Sequence, residues 1–210
     1  MTVAAALLSV ALARLGHLPV RRTRLARQTR SVAQSAAAGQ LVVFTSTVPQ
    51  AYAIAGGRGR AGRIVVSDTM LRLLDAPERQ VMLAHERAHL THHHHRYRTV
   101  AEVAAAVNPL LARVRDQIGF QLERWADEDA ANAVGNRRLT ARSLAHAALA
   151  TTGTTVLGFA EHEVPARVWA LLSGQVSGRP VAALPAVAVL AAGASALTDA
   201  CIRVLTALIS

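Results

Sequence analysis

Apolar and polar positions change period several times along the 210-residue chain. Short runs at Leu41–Thr45, Tyr52–Ala55 and Arg63–Ser67 have strand length and a share of β-branched residues. The stretch Gly56, Gly57, Arg58, Gly59, Arg60 predicts a turn between the second and third. From Asp68 the period becomes helical. Asp68–Leu74 predicts a short helix, and Asp75 with Glu78 three positions later forms a capping box for the next. That helix is expected over about Pro77 to Thr99, with Val81, Met82, Leu83 and Ala88 facing inward. A helical region at Val100–Ala106 stops at Asn108 and Pro109. Ile118–Val134 predicts a long amphipathic helix ending at Gly135, a natural C-cap position, and Leu139–Ala150 another. Thr151–Gly158 predicts a loop, and no internal repeat is visible.

The two ends read differently. Met1–Ala13 is apolar and uncharged, but at about 1.5 Å per residue it is too short to cross about 30 Å of hydrocarbon. Positive charges follow this run instead of preceding it, which predicts an interfacial anchor or the tail of a spanning helix more readily than a signal peptide. Val181–Thr198 is uncharged and reaches the lower length of a spanning helix, with Arg179 before it and Asp199 and Arg203 after. A buried alanine-rich core helix is the alternative for this run. The chain therefore divides into an apolar anchor with an arginine-rich flank (1–30), a central domain (31–178) and a C-terminal membrane-helix segment (179–210).

Composition narrows the fold. Apolar residues make up 52%, aromatics 3% and charged residues 17%, which excludes disorder and disfavours aromatic-rich sandwiches. The expected fold is mainly α with a small β-hairpin or sheet. One cysteine, Cys201, excludes an intramolecular disulfide framework and a cysteine-based zinc finger. The net charge is +10 and every basic residue is arginine. Arg14, Arg21, Arg22, Arg24, Arg27 and Arg30 cluster just after the apolar start, where the positive-inside rule places a cytoplasmic flank. No recognition-helix pattern accompanies the charge, so membrane lipid is the expected partner and direct nucleic-acid binding is not.

The chemistry concentrates in His85, Glu86, Arg87, Ala88, His89. Two histidines four apart on a helix share one face, so both imidazoles can reach a zinc at about 2.0 Å. Glu86 points beside them, where it can take a proton from a metal-bound water. A second helix carries Glu123 and Asp127, also four apart. Glu123 can complete the ligand set of one zinc ion, and Asp127 can hold the free ring nitrogen of a ligating histidine.

HERAH, then NPLL at Asn108–Leu111, then Glu-x-x-Ala-Asp at Glu123–Asp127 resembles the integral-membrane gluzincins. That group includes the heat-shock membrane protease, the CAAX prenyl protease and the beta-lactam sensor-transducer antirepressors, the last being the nearest in pattern. The resemblance covers about Tyr52 to Ala150. It implies a minimal gluzincin-type zinc peptidase domain with terminal membrane-associated helices, His85, His89 and Glu123 as zinc ligands, and Glu86 as catalytic base. It further implies that the strand at Ile64, Val65, Val66 and Ser67 pairs with an extended substrate by strand addition. The chain departs from the group in having few segments before the zinc motif and no room after Ala150 for a penicillin-binding sensor domain, so antibiotic sensing is not expected.

The expected function is a membrane-associated zinc endopeptidase, facing the cytoplasm, that cleaves a protein or peptide; a repressor is one possible partner. The alternative is a non-catalytic zinc-binding membrane scaffold or signalling protein, in which Glu86 has no obvious use. His92 to His95 are expected at a solvated helix end, since His92 lies about 10 Å along the axis from His85. His146 and Arg142 are candidate transition-state donors. Trp125 and Trp169 are expected in packing or as interface anchors.

Overall fold

A computed structural model of the chain describes residues 41–57, 61–151 and 160–174. The elements are β1 (Leu41–Phe44), β2 (Ala51–Ile54), β3 (Arg63–Ser67), α1 (Asp68–Leu73), α2 (Ala76–Thr91) and α3 (His94–Val107). A 3-10 turn (Pro109–Leu111) leads to α4 (Ala112–Val134), α5 (Arg137–Thr151) and α6 (Ala160–Ser173). The described part is mainly helical with one small sheet, as composition and periodicity predict.

The strands form a sheet in the order β1-β3-β2, with β1 parallel and β2 antiparallel to β3. Central position explains why the middle of β3, Ile64 to Val66, is apolar: Val65 and Val66 have no exposed surface. Ile64 and Val66 pack with Met70 and Leu74 in one core cluster, against which Met82, Leu83 and Leu90 of α2 also rest. The hairpin lies close to α2: a β-carbon at Gly62 would stand 2.7 Å from Leu90 Cδ2 and 3.2 Å from the Ile54 carbonyl. A second cluster joins Ala131, Ala141 and Leu171 of α4, α5 and α6.

The predicted capping box forms at the start of α2. Glu78 N–H donates to Asp75 Oδ1 at 2.8 Å, and Asp75 N–H to Glu78 Oε2 at 3.1 Å. Gly135 ends α4 in the left-handed region at φ 68°, as its position predicts. Several helix boundaries depart from expectation: α4 begins at Ala112, six residues before Ile118, and Val100–Ala106 continues from His94 within α3. The predicted helix from Pro77 to Thr99 is two helices, because His93 adopts φ 52° and ψ 39° between α2 and α3.

Strand addition at β3 needs a correction. Ile64, Val65, Val66 and Ser67 pair on one side with Leu41–Phe44 and on the other with β2, so their backbone has no open edge. Ser67 is also committed to the fold: its Oγ accepts the Met70 N–H at the start of α1 and the Gln50 N–H. The strand that borders the site is β2. The expected apolar segments Met1–Ala13 and Val181–Thr198 and the arginine cluster lie outside the described residues. No described helix is long and apolar enough to cross a membrane.

Candidate metal centre

Helix α2 presents His85, Glu86 and His89 at its C-terminal half, and α4, which packs along it, presents Glu123 and Asp127. The two imidazoles approach with Nε2 atoms 3.1 Å apart. Glu123 Oε2 lies 3.3 Å from His85 Nε2, and Oε1 lies 3.6 Å from His89 Nε2. Donors around a tetrahedral zinc at its usual bond lengths stand about 3.3 Å apart, so the three spacings fit one ion. Among the described residues these three form the only histidine, cysteine or carboxylate group that could hold a metal.

The far side of His85 is held as the sequence predicts, with Nδ1 3.0 Å from Asp127 Oδ1. Asp127 in turn receives Nε and Nη2 of Arg167, both at 2.7 Å, in a buried two-pronged pair. Arg167 also reaches Glu123 Oε2 at 3.4 Å. Sequence reasoning missed this arginine. Its only local signal was to be the sole basic residue amid the apolar end of α6, and nothing in that segment names a partner forty positions earlier.

The electrostatics follow from burial and these contacts. Burial opposes charge on His85, yet hydrogen bonds to Asp127 and Glu123 outweigh it and push its pKa up to about 10. His85 must lose that proton to ligate a metal. His89 lacks a carboxylate behind its ring, and burial pulls it down to about 4. Burial would raise Glu123, but the hydrogen bond and charge of His85 hold it well below the usual carboxylate range. Glu86 is 8% exposed, and burial pushes it up to about 6, while a hydrogen bond from the Ala53 backbone N–H favours its ionised form.

His85, Glu86, His89 and Glu123 line a cavity of about 280 Å³, bordered also by Ala51, Tyr52 and Ala53 of β2 and by His94 and Arg98 of α3. Arg98 binds Glu123 from this side and keeps its side chain 45% exposed.

The histidine run is corrected. His93 and His95 are exposed, but His94 is 1% exposed and sits 2.7 Å from His89, Nδ1 to Nδ1. His92 pairs with Asp129 at 2.5 Å and stacks on Trp125. Burial lowers His94 to about 3. The left-handed His93 turns the chain so that α3 begins by pointing His94 inward. His146 and Arg142 are engaged elsewhere: both approach Glu78, the buried capping residue two turns before His85. Trp125 packs as expected, and Trp169 is exposed.

The family model described as Peptidase family M48 matches residues 19–160. The chain belongs to peptidase family M48. M48 peptidases are zinc-dependent, which agrees with a two-histidine, one-glutamate donor set, and the matched span contains every residue of that set. The match does not single out the antirepressor branch of the gluzincins. No curated protein and no solved structure matches the chain.

Proposed function

We propose that this M48 chain is a membrane-associated endopeptidase whose catalytic part faces the cytoplasm and cleaves a protein substrate, such as a repressor or a membrane protein. The observation that carries the catalytic reading is a buried Glu86 carboxylate beside a His85, His89, Glu123 donor set in an open pocket. Zinc bound by those three residues would supply Lewis acidity, polarising the scissile carbonyl and acidifying the attacking water. Glu86 accepts the proton of that water and delivers it to the leaving amine. A carboxyl pushed up to about 6 by burial suits a group that must both take and return a proton near neutrality. Asp127, with Arg167 behind it, keeps the His85 ring aimed at the metal.

Substrate placement follows from the sheet. With β3 paired on both sides, β2 is the edge strand in the pocket wall, and an extended peptide lies along Ala51–Ile54. Support for the membrane comes from the arginine cluster Arg21–Arg30 beside one apolar run and from the length of another, Val181–Thr198.

Glu86→Gln tests the mechanism. It keeps shape and hydrogen bonding but removes the base, so zinc content and unfolding midpoint should match wild type while peptide cleavage in detergent falls about 100-fold to 10,000-fold. Equal cleavage by variant and wild type overturns the assignment of the base. No cleavage by either across a broad peptide library identifies a metal-binding scaffold.

A further inference from the structure

We propose that His94 is a positioning residue for His89: its buried Nδ1 accepts the His89 Nδ1 proton and fixes the ring that offers Nε2 to the metal. This rests on the reading of His85, His89 and Glu123 as metal ligands.

Two imidazole nitrogens 2.7 Å apart share a single proton, since two would clash and none would leave lone pairs opposed. A ligating His89 has no proton on Nε2, so its one proton sits on Nδ1 and the acceptor must be His94 Nδ1. His94 then carries its own proton on Nε2. That atom is buried and has no hydrogen-bond partner among the described residues. A buried ring nitrogen left unpaired is costly, and the contact with His89 is what the arrangement gains in return.

The chain path shows that this contact is built. Five residues after His89 on an uninterrupted helix, His94 would lie about 140° round the axis and could not face it. The left-handed His93 breaks the helix and brings the rings together edge to face, with centroids 4.8 Å apart. Trp125 of α4 closes the other side, in contact with both His94 and His92, and Asp129 anchors His92. The two ligands are therefore backed differently. His85 donates to a carboxylate held by Arg167, whereas His89 donates to a neutral imidazole.

The experiment compares the full-length protein with His94→Leu, His94→Asn and His89→Ala. Zinc affinity is measured by chelator competition, and the cobalt-substituted forms by their ligand-field spectra. Leucine fills the space without an acceptor and should weaken zinc binding about 10-fold to 100-fold, with an altered cobalt spectrum. Asparagine places a carbonyl oxygen near the position of Nδ1 and should restore affinity and spectrum close to wild type. Wild-type affinity in His94→Leu overturns the proposal, as does an asparagine variant that loses as much as leucine, since packing alone would then explain both. If the leucine variant does not fold, the asparagine variant decides by the same two measurements. His89→Ala should lose the metal; if it keeps wild-type affinity, the ligand reading fails and this proposal with it.

Discussion

At the scale of single residues, the charges that matter are the buried ones. Arg72 with Asp68 and Arg115 with Asp116 are exposed pairs, which water and salt screen until they contribute little. Arg167 with Asp127 is different, because both groups are out of water, although Arg167 also reaches Glu123 and Asp127 also holds His85. Removing one member of such a pair leaves a stranded charge and typically costs about 3–5 kcal/mol. Arg167→Ala should therefore lower unfolding free energy by about 3 kcal/mol in urea titration of the metal-free protein, while Arg72→Ala leaves it close to the wild-type value. Equal, small losses would show that water or another cation already serves Asp127. Of the site residues, His85 with His89 and Glu123 with Asp127 were legible because four-residue helical spacing puts each pair on one face, and Glu86 because it adjoins the first histidine; packing of α2 on α4 then brings the two faces together. Arg167 and His94 were not, because neither sits at a motif spacing.

At the scale of elements, two left-handed positions shape the helices around the site. Gly135 ends α4 at φ 68° with open space where a β-carbon would go, so substitution there acts through backbone strain alone. Gly135→Ala should cost about 1 kcal/mol. His93 is the only non-glycine with positive φ among the described residues. A β-branched replacement suffers most in that region, so His93→Val should destabilise by more than about 1 kcal/mol while His93→Gly does not. Thermal unfolding of the three variants checks the pair of claims, and a harmless His93→Val would mean that α2 and α3 can run as one helix. The sequence offers no breaker here. Histidine tolerates a helix, and the periodicity runs on to Thr99, so a single helix was the natural reading. What ends α2 is the burial of His94 against Trp125, a contact with α4 31 residues further on.

At the scale of the whole molecule, the family match and the site agree on a zinc peptidase domain, and the open question is where it works. The apolar runs at both ends and the arginines beside them predict that the full chain sediments with membranes and is released by detergent, not by carbonate or salt. Reporter fusions after Thr151 and after Ser210 should report opposite sides. Recovery of the whole chain in the soluble fraction would make Val181–Thr198 a core helix instead. Sequence by itself determined the helical class, the three strands, the caps at Asp75 and Gly135, and the spacing of His85, Glu86 and His89 on one helix and of Glu123 and Asp127 on another, because each is written in the pattern of a few neighbouring positions. Tertiary structure decided the rest. Strand order depends on which edges pair across the chain, so only the fold shows that Ile64–Ser67 is central and β2 borders the pocket. Likewise, Arg167 behind Asp127 and His94 behind His89 are set by which helices pack together and by one reversed backbone angle, and no local periodicity records either.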